Sequence, residues 1–103
     1  MNSMERAKLG RELWAMLHKR ACHHDGRNDS RFIAEFGRKI PRYMRGCSCN
    51  EFWRQYIKKN PPVYTKYGYF KWTVDLHNAV NAKLGKKQIS LEEARKIWCQ
   101  QTK

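Results

Sequence analysis

Phe70-Lys71-Trp72-Thr73-Val74-Asp75-Leu76-His77-Asn78-Ala79-Val80-Asn81-Ala82-Lys83-Leu84-Gly85 is the stretch on which the fold turns. Phe70, Val74, Val80 and Leu84 recur at steps that share one side of a helix. Gly85 follows as the residue that ends it, and Lys83, Lys86 and Lys87 complement the negative helix end. His77 falls on the same stripe between Val74 and Val80, so a polar ring interrupts an apolar face. Asn78 and Asn81 add hydrogen-bonding groups on an adjoining face, a set able to recognise a flat heteroaromatic ligand entering between helices. A histidine satisfied within the core is the competing reading.

The rest of the chain carries the same periodicity. From about residue 3 to residue 23, Leu9, Leu13, Met16, Leu17 and Ala21 mark one helical face. Asp25-Gly26-Arg27-Asn28-Asp29 breaks it, and Asp29 is placed to cap a second helix bearing Phe32, Ile33, Phe36 and Ile40, whose end Pro41 perturbs. A third helix spans about 49–59 and stops at Asn60-Pro61-Pro62, because proline lacks the donor a continuing helix needs. Thr65 is a start signal for the fourth. Ser90-Leu91-Glu92-Glu93 is a capping box opening a short fifth helix with Leu91, Ala94, Ile97 and Trp98 inward. The expectation is all-α: a four-helix bundle with a short fifth helix, one domain over residues 1–103.

At 103 residues with 41% hydrophobic content the chain can build one core, and no apolar run is long enough to span a bilayer or form an export signal. The 22 Lys and Arg against 9 Asp and Glu give a net charge of +13, which admits nucleic acid as a nonspecific electrostatic contact. These basic residues are spread over every helix without a recognition motif, so a solvated cationic surface is the simpler reading.

In Gly46-Cys47-Ser48-Cys49-Asn50, two cysteines flank one serine directly before an amphipathic helix. Ser48 with Glu51 three residues on makes a capping box, which puts Cys49 in a first helical turn where free N–H groups and the dipole favour thiolate. The redox reading of this pair outranks two alternatives. One is a zinc site with Cys22, His23 and His24, for which the cysteine spacing is too short; the other is two unrelated buried cysteines. Trp14 and His18, four apart, share a face of the first helix with Cys22 one turn on, while Trp72 and Trp98 are equally compatible with core or ligand contact.

Leu9-Gly10-Arg11-Glu12-Leu13-Trp14-Ala15-Met16-Leu17-His18, the cysteine pair, and Trp72 followed by His77-Asn78-Ala79-Val80-Asn81-Ala82-Lys83-Leu84-Gly85-Lys86 together resemble the FAD-linked sulfhydryl oxidases of the Erv/ALR family over nearly the whole chain. The resemblance implies a helical bundle, usually a homodimer, that holds FAD at the mouth of four helices. It also implies that Gly10, Arg11, Trp14 and His18 line the flavin from the first helix. Trp72, His77, Asn78, Asn81, Lys83 and Lys86 enclose the remainder, with Trp98 where the family places an aromatic. The implied reaction oxidises protein dithiols: a substrate thiolate attacks Cys47, Cys49 passes electrons to FAD, and molecular oxygen is reduced to hydrogen peroxide. Metal, membrane and specific nucleic-acid partners are not implied.

The chain departs from the family's CxxC, since Gly46 stands where the first cysteine falls; a CxC pair closes a smaller ring and is expected to be a stronger oxidant, or an impaired one. The family tyrosine after the first-helix histidine is replaced around Cys22-His23, and no second CxxC is present, leaving substrate to meet Cys47 directly or through Cys99. Cys22 and Cys99 are compatible with an internal bridge, an intersubunit bridge or neither. So short a chain resembles the minimal oxidases of large DNA viruses, which implies work in a host cytoplasm or virion. A basic nucleic-acid-binding or scaffold protein without redox activity, and an inactive flavoprotein, are the competing functions.

Overall fold

The computed structural model describes residues 3–24, 26–40, 49–65 and 67–99, apart from the side chains of Ser3, Cys49 and Asn50. Among the described residues five α-helices follow in order: α1 (Ser3–Cys22), α2 (Ser30–Lys39), α3 (Cys49–Lys59), α4 (Gly68–Lys83) and α5 (Leu91–Ala94). The last runs directly into a π-helical turn, Arg95–Cys99. α1 packs along α4, α2 against α3 and α5 against α4, and the π turn comes back onto α1. Among the described residues there is no strand, in keeping with the all-α expectation. No described helix is long and apolar enough to cross a membrane.

α4 is the most enclosed element. Tyr69, Phe70, Trp72, Thr73, Val74, Leu76 and Val80 are all buried, which wraps its apolar surface around most of the helix rather than along one stripe. Thr65 acts ahead of it as expected, its hydroxyl oxygen accepting from the Gly68 N–H at 3.0 Å, although the helix proper begins at Gly68. Gly85 closes the far end in the left-handed region, at φ +73°. On α1 the inward residues are Gly10, Trp14, Leu17, His18 and Ala21. Met16, expected on this face, is 46% exposed, because two residues at about 100° each carry it past the side opposite Trp14.

The expectation for Asp29 needs correction. Its carboxylate makes no cap bond to α2. It accepts instead from the Tyr69 hydroxyl at 2.7 Å and from Arg20 Nε and Nη2 at 2.7 and 2.8 Å, which ties α1, α2 and α4 at one point. Burial pushes the Asp29 carboxyl up, but the hydrogen bonds from Arg20 and Tyr69 and the Arg20 charge outweigh it and hold the group below the usual carboxylate range. Asn28 takes over part of the helix start, accepting from the Ser30 N–H at 2.9 Å. Ser90 behaves as expected of a cap, accepting from the Glu93 N–H at 3.1 Å.

Cys22 and Cys99 form a disulfide with their Cα atoms 5.5 Å apart, joining the end of α1 to the end of the π turn across 77 residues of sequence. The zinc alternative therefore loses Cys22, and His24 is turned to the Arg27 carbonyl and the edge of Tyr69. Among the described residues, no three His, Cys, Asp or Glu side chains converge as a metal site. The roles expected of Pro41, Cys47 and Ser48 lie outside the described residues.

Replacing Asp29 by Ala strands the hydroxyl of Tyr69, whose side chain is fully buried, and should cost about 2 kcal/mol, read as a lower denaturant midpoint at unchanged slope. Cys22→Ser or Cys99→Ser should cost about 3 kcal/mol by the same measurement, since the bridge closes a long loop.

Candidate functional site

Four rings gather between α1, α4 and the π turn. Trp14 and His77 stack in parallel at 3.9 Å, His18 and Trp98 stack at 4.1 Å, and the two imidazoles stand 5.1 Å apart. Phe36 meets Trp14 edge-on at 5.0 Å, and Phe70 meets His18 edge-on at 6.1 Å. Local sequence explains the assembly. Trp14 and His18 on α1, like Thr73 and His77 on α4, are four residues apart and so face the same way. The π turn widens the last helical turn, which rotates Ile97 out to 58% exposure, against the expectation that it is buried. The same rotation brings Trp98 and Cys99 onto α1.

The rings are tied by hydrogen bonds as well as by contact. His18 Nδ1 lies 3.0 Å from Thr73 Oγ1 and His18 Nε2 lies 2.9 Å from His77 Nδ1. Burial, then the neighbouring His77, drives the His18 imidazolium down to about 3. Burial, then the Lys86 charge, drives His77 down to about 4. Both rings are therefore neutral at physiological pH. At 3.9 Å, Trp14 and His77 leave no room for a third ring between them, so a planar ligand meets this pair at its edges and outer faces.

α3 reaches the stack from the side. Gly37 lets the Trp53 indole lie across α2, in space a Cβ at position 37 would occupy. Trp53 packs on Phe36 at 5.3 Å, and Phe36 in turn meets Trp14. Cys49 begins α3 one turn before Trp53, so the start of α3 is linked to the stack through Trp53 and Phe36. Lys83, in the last turn of α4, holds its ammonium 5.4 Å from the Phe52 ring in the first turn of α3, which brings a cation to the same helix start.

The expected site residues separate into groups. Trp14, His18, His77 and Trp98 come together. Gly10 is buried on the same α1 stripe, Arg11 is exposed, Asn81 is half-buried, and Lys83 and Lys86 are exposed near the end of α4. Trp72 is directed elsewhere: its indole N–H donates to the Asn60 carbonyl at 2.8 Å and its ring meets Tyr56 and Tyr69. Asn78 is committed to the chain itself, donating to the Ile89 carbonyl at 2.7 Å and accepting from the Ile89 N–H at 2.8 Å, which clamps the link between α4 and α5. Cys47 lies outside the described residues. Sequence reasoning leaves Thr73 and Arg6 out of the site and reads Phe36 only as part of the apolar face of α2. The position of Thr73 one turn before His77 was a usable signal for the first. Arg6, one turn before Gly10, has its Nη1 buried with no hydrogen-bond partner among the described residues, and nothing in the sequence announces that.

Comparison with known proteins places these features in context. The model of the Erv1 / Alr family matches residues 11–99. The yeast Erv1 core is similar at 26% identity and a TM-score of 0.61, over 87% of this chain and 80% of that one. The FAD binding domain of Erv1 from Saccharomyces cerevisiae is similar at 26% identity and 0.62, over 88% and 90%. A mutant form of Erv1 from the same yeast matches at 26% and 0.61 over 87% of this chain, which spans 62% of that one.

The neutral imidazole pair makes stability depend on pH. Both rings have folded values below the ordinary 6.5, so the unfolded chain binds more protons below that value and stability is lost as pH falls from there toward 4. By about pH 5.5 the loss should be roughly 1 kcal/mol per ring. Denaturant midpoints measured across that range should fall in the wild type and fall less in His77→Gln.

Proposed function

The chain belongs to the Erv1 / Alr family, and from that premise we propose that it is an FAD-dependent sulfhydryl oxidase converting protein dithiols to disulfides. One structural relative is itself an FAD-binding domain. The residues of this chain fit such a group. The edges and outer faces of the stacked rings suit its planar ring systems. His77 Nε2 is bonded by no described group, and the buried Arg6 Nη1 is a donor lacking a partner among the described residues. Trp14, His18, His77 and Trp98 would wall the rings. Gly10, Arg11, Asn81, Lys83 and Lys86 would complete the cradle, and Trp72 and Asn78 would support it through Asn60 and Ile89.

Cys47 and Cys49 are the redox pair in this reading. A substrate thiolate attacks Cys47 of the disulfide and a second substrate thiol resolves the mixed disulfide, so the substrate loses two electrons and two protons and the pair becomes two thiols. The start of α3, which Cys49 occupies, favours thiolate over thiol there. Bound FAD supplies the two-electron acceptor chemistry that returns the pair to its disulfide, with molecular oxygen as the final acceptor and hydrogen peroxide as product. The oxidase domain is residues 1–103, acting as a homodimer.

The observation that carries the reading is the neutral, hydrogen-bonded ring stack between α1 and α4, linked through Phe36 and Trp53 to the helix that Cys49 begins. Purified protein should retain flavin absorbance through desalting and consume oxygen when given a dithiol. Cys47→Ser and Cys49→Ser should each abolish that consumption while keeping the absorbance. A colourless, folded protein would sink the proposal and return the chain to a basic binding module, a reading that rests on charge alone.

A further inference from the structure

The hydrogen-bond chain through α1 and α4 has a direction, and one hydroxyl sets it. Thr73 Oγ1 lies 2.7 Å from the Phe70 carbonyl oxygen and 3.0 Å from His18 Nδ1. Two oxygens at 2.7 Å need a hydrogen between them, and a carbonyl has none, so the Thr73 hydroxyl donates to Phe70. Its single hydrogen is then used, and toward His18 the hydroxyl is an acceptor. His18 therefore carries its hydrogen on Nδ1, its Nε2 is bare, and across 2.9 Å it accepts from His77. His77 in turn carries its hydrogen on Nδ1 and is left with Nε2 as a lone-pair acceptor, on a side chain only partly buried.

We infer that Thr73 is a positioning residue that fixes both histidine tautomers, so that His77 Nε2 is presented to a ligand as an acceptor and takes an N–H or O–H edge. The ligand half of this rests on the FAD reading. It has a chemical consequence: the diphosphate, which has no hydrogen to give at neutral pH, is excluded from His77, while a ring N–H, an exocyclic amine or a ribityl hydroxyl is admitted. Thr73 and His18 are wholly buried, so no bulk water can substitute for the hydroxyl and reset the chain. The Lys86 charge acts in the same sense, since it opposes protonation of His77.

Long-range proton–nitrogen correlation spectra of the imidazoles, recorded on the full chain as purified, read the tautomers directly. The wild type should show protonated Nδ1 and bare Nε2 on both His18 and His77. Thr73→Ser should keep this pattern and bind flavin within about twofold of wild type. Thr73→Val leaves His18 Nδ1–H without an acceptor, so the chain should reverse, with protonated Nε2 on both rings and about tenfold weaker FAD binding by titration of the flavin-stripped protein. Protonated Nε2 on His18 or His77 in the wild type, or an unaltered pattern in Thr73→Val, would overturn the inference. If Thr73→Val does not fold, the wild-type and Thr73→Ser spectra still decide it. Wild-type spectra as expected in a protein that binds no FAD would overturn the FAD reading and the ligand half, and leave the tautomer assignment standing.

Discussion

His18 and His77 lie inside a helical interior where a charged ring would lose its hydration, so both must be neutral and their nitrogens must be matched to specific groups. That constraint determines how α1 meets α4. His18 can reach Thr73 and His77 together only if the two helices keep one register, because Thr73 and His77 are one turn apart on α4 and His18 spans the gap with its two ring nitrogens. Sliding either helix by a turn would break both bonds and bury their donors and acceptors unpaired, which costs more than the loss of ordinary apolar contacts.

The end of α1 is secured by two different means. On one side Asp29 accepts from Tyr69 and from both arms of Arg20, drawing three helices to one carboxylate. Near the other side of α1, the disulfide from Cys22 to Cys99 holds the π turn in place and with it Trp98, the neighbour of Cys99 in sequence and of His18 in space. A residue proposed to wall the ligand site is thus held next to a covalent link. The bridge belongs to the architecture of the site, while the redox work proposed for this protein is assigned to Cys47 and Cys49.

Much of the candidate site was legible before any coordinates. That Trp14 and His18 share a face and that His77 interrupts an apolar stripe are visible in the spacing; that these rings meet one another is what the structure adds. Trp72 and Asn78 show where pattern reading stops. Both lie in the motif that carries the family resemblance, yet Trp72 is bonded to Asn60 and Asn78 to Ile89, backbone groups whose nearness depends on how the chain turns between helices. Spacing along one helix says which residues share a face, but not which partner from another segment will claim their hydrogen bonds.

From sequence alone came the helical class, the order of the elements, the caps at Thr65, Gly85 and Ser90, and the pairing of residues along each helix, because these follow from local periodicity and backbone preference. Only tertiary structure decided that Cys22 pairs with Cys99, that Asp29 serves Tyr69 and Arg20 rather than α2, that a π turn puts Ile97 out and Trp98 in, and that Thr73 stands between His18 and the α4 backbone. Each of these depends on groups distant in the chain coming within a few ångströms, a distance set by the packing of whole helices and not by any residue's own conformational preference.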